Sequence, residues 1–195
     1  MSKGLSVVVG VCALVIVGAS LASILPRTSN QGYAPDQPIP YSHKLHAGDL
    51  KIQCQYCHST VERSKHASVP SVNVCMNCHR VVKRVAGAAE PSPWIQKIQD
   101  AYDSGKPIEW VRIHELPDFV YFPHKRHVAA GLACQSCHGP IETMEKVYQY
   151  SPLTMGWCME CHRGRSTPKN VLNAQAATGR DPHETAPQQC TTCHY

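Results

Sequence analysis

Ten of the eleven cysteines in this 195-residue chain fall into one pattern, a pair three positions apart followed at once by histidine. The five copies are Cys54–Cys57–His58, Cys75–Cys78–His79, Cys134–Cys137–His138, Cys158–Cys161–His162 and Cys190–Cys193–His194. Two thiols on one turn are placed to form thioethers to the two vinyl groups of a haem, and the adjacent imidazole then lies under the iron. Zinc half-sites also use C-x-x-C, but zinc needs no histidine directly after the second cysteine. A disulfide framework explains an even count and leaves the histidines unexplained. Histidine supplies 12 of 195 residues, so its recurrence after all five pairs by chance has odds of roughly one in a million. Five covalently bound haem c groups are expected, with the ten thiols as attachment points and His58, His79, His138, His162 and His194 as proximal ligands. Thioether attachment takes place on the periplasmic or equivalent face of a membrane, so the chain is expected to be exported.

Seven histidines remain: His43, His46, His66, His114, His124, His127 and His183. A low-spin electron-transfer haem fills both axial positions, so five further ligands are required and the supply suffices. Two H-x-x-H pairs stand out, Tyr41-Ser-His43-Lys-Leu-His46 and Phe122-Pro-His124-Lys-Arg-His127. Histidines three apart on one turn do not easily serve the same haem face. We expect the first to take the nearby haem and the second its neighbour. That pairs His43 with the haem of His58 and His46 with that of His79, and pairs His124 with the haem of His138 and His127 with that of His162. The haem of His194 then draws on His66, His114, His183 or Met155, with His66 preferred. Met155, in Thr154-Met155-Gly156-Trp157-Cys158, is the rival whose thioether would raise the potential.

The elements that must position these groups repeat. His46 precedes Cys54 by seven intervening residues and His127 precedes Cys134 by six, and a second motif follows in each half after 16 and 19 residues respectively. Two dihaem halves, about 41–80 and 122–163, are thus expected in a domain spanning 41–195, with a fifth haem at 190–194. Between the halves, Pro93 to Ser104 reads as a helix with Ser92 as N-cap, Pro93 at its first position and Gly105 after its end. Its apolar stripe is Trp94, Ile95, Ile98 and Tyr102. Residues 108–119 read as irregular or strand-like, and a polar excursion runs from Gly164 to Gln189. Both stretches exceed what haem binding needs and are candidates either for docking surfaces or for covers over haem edges.

At the N-terminus, the uncharged run Leu5 to Leu25 covers about 31 Å as a helix, against a hydrocarbon core of about 30 Å. Residues 1–26 are expected to be an uncleaved membrane anchor. A signal peptide cut near Ser20-Leu21-Ala22 is the alternative. Lys3 favours the cytoplasmic side for its start, and Gly4, Gly10, Gly18, Ala19 and Ala22 offer slim faces to a neighbouring helix. Cys12 lies inside the span without a motif and reads as a small apolar filler. Residues 27–40, with Pro35, Pro38 and Pro40, read as an extended tether. The whole chain has only two Phe against fifteen Pro and so a thin conventional core, which haem plates would fill. The formal charge of +5 would be offset by about ten haem propionates, and nothing favours nucleic-acid binding. The expected fold class is mainly α with extensive loops: a small haem-packed multihaem cytochrome c domain plus one N-terminal transmembrane helix.

With these motifs in hand, the chain resembles the pentahaem cytochrome subunit of alternative complex III, a bacterial quinol-oxidising complex. The resemblance rests on the anchor, the duplicated halves and the terminal motif. It also rests on Val72-Asn-Val-Cys-Met-Asn-Cys-His79, Trp110-Val-Arg-Ile-His-Glu-Leu-Pro-Asp-Phe-Val-Tyr-Phe122 and Met155-Gly-Trp-Cys-Met-Glu-Cys-His162. It implies a non-catalytic, periplasm-facing electron-transfer subunit of the inner membrane. The implied partners are integral membrane and iron–sulfur subunits of the complex, with another cytochrome c or a terminal oxidase as acceptor. Two other readings remain open: a self-sufficient membrane-anchored quinol dehydrogenase, and a multihaem reductase with an open iron site.

Overall fold

The computed structural model describes residues 3–24, 29–164 and 186–194. Its regular structure is helical, and no strand occurs among the described residues beyond one isolated antiparallel bridge between Val120 and His194. Residues 108–119, which read as irregular or strand-like, adopt no ladder. Their backbone groups bond instead to side chains of distant segments, as in Val111 N–H to Gln37 Oε1 at 2.9 Å.

Helix α1 covers Lys3–Ile24, and the side chains described on it are solvent-exposed, Leu14 at 74 % among them. Among the described residues no helix is long and apolar enough to cross a membrane. The expected transmembrane span is therefore not met by the described residues.

Each cysteine pair sits on its own short helix. These are α2 (Cys54–Cys57), α3 (Val72–His79), α6 (Gln135–His138, with Cys134 as its N-cap), α7 (Met155–His162) and α8 (Cys190–Cys193). Helix α4 (Pro93–Ser104) has the limits its punctuation predicts. Proline occupies its first position, and Gly105 closes it at φ 67°, a left-handed conformation that costs glycine little. Ser92 stands at the N-cap, although its hydroxyl makes no capping bond and is buried. Helix α5 (His124–Ala129) carries the second H-x-x-H pair. The first lies on a π-helical turn, Lys44–Asp49, with His43 as its N-cap. Helix α4 braces α3, Gln99 donating to the carbonyl of His79 at 2.8 Å and the Arg80 guanidinium bonding the Tyr102 hydroxyl at 2.7 Å.

The conventional core is as thin as the composition implies. Among the described residues the buried hydrophobics are Ile39, Val61, Met76, Ile95, Ile98 and Met144. Ile39, Met76 and Ile98 pack with Val72, Tyr102, Ile108 and Trp110 around the α3–α4 junction. The proline-containing segment from residue 29 is extended but not free, because it is laced to the far half of the chain. Ser29 Oγ donates to Pro152 O at 2.6 Å, Gly32 N–H to Gln149 O at 2.8 Å, and Gln149 N–H returns to Tyr33 O at 3.1 Å.

Candidate haem-binding site

A haem-ligating histidine must be neutral and must present Nε2, which requires a partner for Nδ1–H. The structure supplies one repeatedly. Nδ1 of His58 lies 2.6 Å from Ser68 O, that of His79 2.9 Å from Val82 O, and that of His162 2.7 Å from Pro187 O. Ser68 turns its backbone to φ 56° beside the first of these contacts, a strained setting for a side-chain-bearing residue. The H-x-x-H histidines follow the same rule: His46 to Ser42 O at 2.9 Å, His124 to Lys65 O at 2.8 Å and His127 to Pro123 O at 3.1 Å. Nδ1 of His43 is buried without a hydrogen-bond partner, an orphaned polar atom beside the first motif. Burial also disfavours the charged form of His43, His127 and His138. It is the main cause that brings His43 down to about 4 and His138 down to about 3, and it lowers His127 as well.

Spacing between rings tests whether iron fits. Metal–nitrogen bonds of about 2.0 Å on both faces, with Nε2 about 1.1 Å from the ring centre, put the centroids of a coaxial imidazole pair about 6.2 Å apart. The centroids of His46 and His79 are 6.3 Å apart, those of His127 and His162 6.2 Å, and those of His124 and His138 6.5 Å. His58 lies close enough to His43 that its charge is second only to burial in lowering His43. The residues of the second, third and fourth motifs therefore fit a haem that would be held by two thioethers and by histidine on both faces.

The fifth motif is set differently. Tyr121 N–H donates to Cys193 O at 2.8 Å and Val120 bridges His194, so the chain ahead of α5 carries α8. The ring beside His194 is that of Phe119, at 5.6 Å between centroids. His66 is exposed on the loop that precedes α3, and Met155 is 68 % exposed at the start of α7. His183 lies outside the described residues. His114 is drawn to the third motif instead, its Nε2 3.2 Å from Nδ1 of His138 and its ring centroid 4.5 Å away.

The thiols show how the motifs adjoin. All of the shifted thiols are raised, first by burial, and the charges that follow identify neighbours. Cys57 feels Cys75 and Cys78, and Cys134 feels Cys54. Cys137, pushed up to about 12, feels Cys161 and Cys158, and Cys158 feels Cys193. Read by motif, the thiols that lie near one another run second–first–third–fourth–fifth. The central joint is reinforced where Lys44 N–H donates to Met144 O at 3.0 Å, and where the α-carbon of Gly48 packs so close to Glu142 O that a β-carbon would strike it.

Sequence reasoning missed Gln149, which is fully buried. Its side-chain carbonyl accepts from Glu115 N–H at 3.0 Å and its amide donates to Ser151 O at 3.1 Å, while Ser151 Oγ donates to Cys137 O at 2.7 Å. One residue thus ties the segment after the N-terminal helix, the His114 loop and the third motif. A glutamine between two tyrosines at 148–150 carries no signal of this.

Short helices bearing C-x-x-C-H, histidine rings spaced for iron and little apolar core are the arrangement that covalent attachment of c-type haem requires. Residues 120–195 match the family of cytochrome c7 and related cytochrome c. Over 103 residues the chain is 34 % identical to the multiheme cytochrome c subunit of menaquinone reductase from Nitratidesulfovibrio vulgaris, strain Hildenborough. That stretch is 53 % of this chain and 46 % of the relative, so the chain spans about half the length of the curated relative it matches.

Proposed function

We propose that the chain is a five-haem electron relay serving a membrane-bound quinol-oxidising complex of the alternative complex III type. The observation that carries this reading is the unbroken adjacency of the motifs, second–first–third–fourth–fifth, with no motif isolated from the rest. The haems, when bound, supply reversible one-electron chemistry. The protein would hold each by two thioethers, and it fixes the tautomers of His46, His58, His79, His124, His127 and His162 through Nδ1 bonds to backbone carbonyls.

In this reading His43, His46, His124 and His127 are the distal ligands of the haems of His58, His79, His138 and His162. His66 serves that of His194. The motifs at the ends of the series, Cys75–His79 and Cys190–His194, are the electron entry and exit. Membrane attachment through residues 1–26 belongs to the proposal and rests on the uncharged run from Leu5 to Leu25. Integral membrane and iron–sulfur partners, and a cytochrome c or terminal oxidase as acceptor, are proposed on the same footing. The relative's name supports a quinone-linked complex, and because it is a reductase the same relay suits electron flow in either direction.

The purified full-length chain, mixed with a reduced menaquinol analogue, tests dependence on partners. The relay reading expects its haems to stay oxidised on a timescale of seconds until the quinol-oxidising subunits are added. Rapid reduction of the chain alone would replace it with a self-sufficient quinol dehydrogenase.

A further inference from the structure

The proximal histidines differ in what they hydrogen-bond. His58, His79 and His162 each direct Nδ1 to a backbone carbonyl, whereas His138 directs it to another imidazole, Nε2 of His114, at 3.2 Å. With Nε2 of His138 committed to iron, its Nδ1 carries the proton and donates, so Nε2 of His114 must accept and His114 must be the neutral Nδ1–H tautomer. The two rings meet edge to face at 74°, with 4.5 Å between centroids, far too close for iron to sit between them. The opposite face of His138 is matched by His124 at 6.5 Å and 8° between ring planes. His114 is therefore placed behind the proximal ligand and not across the iron from it.

This placement is built, not incidental. The backbone around His114 is clamped from both sides. Asn30 Nδ2 donates to Ile113 O at 3.3 Å, Arg112 Nε donates to His114 O at 3.0 Å, and Glu115 N–H donates to the fully buried Gln149. Gln149 is in turn fixed to Ser151, which bonds the carbonyl of Cys137 in the same motif. A rigid path thus leads from His114 back to the helix that bears His138.

We propose that His114 is a positioning residue for the third haem, accepting the Nδ1 proton of His138 and so lowering the potential of that haem relative to one whose histidine bonds a carbonyl. An imidazole nitrogen is a stronger base than a peptide carbonyl, so it draws the shared proton further. The iron-bound ring gains anionic character, which favours the ferric state. In the series of adjoining motifs the third is the middle member, so this sets the level of the step that joins the two halves. The inference rests on the relay reading above, in which motif three holds a haem.

Redox titration of the full chain carrying His114→Phe, alongside His114→Gln, tests it. Five haems should remain, all low-spin. One potential should rise in His114→Phe by about tenfold in its one-electron equilibrium, which is about 59 mV, and return most of the way in His114→Gln, whose side-chain carbonyl accepts. Unchanged potentials in His114→Phe would overturn the inference while leaving the relay intact. So would a new high-spin haem, which would make His114 an axial ligand. A wild-type chain lacking a haem at motif three would instead refute the relay reading. If His114→Phe fails to mature, the wild-type chain decides. In the reduced, diamagnetic protein with nitrogen-15 histidine, a scalar coupling across the hydrogen bond between the two imidazole nitrogens is expected, and its absence overturns the proposal.

Discussion

Replacing His46 by alanine removes one imidazole whose geometry is fully specified. Its Nδ1 donates to Ser42 O at 2.9 Å, its ring stacks on Tyr41 at 4.4 Å between centroids, and its centroid is 6.3 Å from that of His79. Alanine leaves a gap of about 4 Å beside Nε2 of His79 on the iron axis, which no other described histidine is placed to fill. The structural cost is modest. One part-buried hydrogen bond is worth about 1 kcal/mol and one aromatic contact about 1 kcal/mol, well under the 5–15 kcal/mol that holds a domain folded. The variant should therefore mature with all its haem, and about one fifth of it, that of His79, should become five-coordinate and high-spin. Carbon monoxide difference spectra of the reduced protein read this directly: about one haem in five binds the ligand, against none in the parent. If His46→Ala binds no carbon monoxide and stays wholly low-spin, the pairing of His46 with His79 across an iron is wrong.

Three further outcomes follow from the same contacts. Gln149→Leu strands Ser151 C=O in the interior, at on the order of 1–3 kcal/mol, and removes the part-buried bond to Glu115 N–H, so the denaturation free energy of the holoprotein should fall by about 2 kcal/mol, and a loss under about 0.5 kcal/mol would show that the lock is idle. Gly139→Ala forces a β-carbon into the Tyr150 ring at a residue with φ 68°, directly after the third motif, and should cost about 2 kcal/mol and lower haem occupancy at that motif, as read by haem-to-protein ratio. Full-length chain in isolated membranes should resist alkaline carbonate extraction, and its complete release would remove the anchor from the account.

What the sequence made legible was local. The cysteine spacing specifies a turn per motif, and Pro93 with Gly105 punctuates α4, because both signals act within a few residues along the chain. The H-x-x-H offset puts two rings on one turn, and in the structure His46 lies beside His79, His124 beside His138 and His127 beside His162. The lacing of residues 29–33 to 149–152 could not be read, since it runs largely through backbone groups that every residue possesses. By residue type alone His114 is one of four candidates for the last haem, with His66, His183 and Met155. Only the third dimension shows that a glutamine 34 positions away holds its loop against His138.

The central claim is a closed relay of five six-coordinate haems, and near-infrared magnetic circular dichroism of the oxidised full-length chain, quantified per mole of protein, tests it most directly. The account predicts charge-transfer intensity for five low-spin haems with nitrogen ligation at no fewer than four, and no high-spin band. Fewer than five haems, or a high-spin band in the unmodified chain, would contradict it.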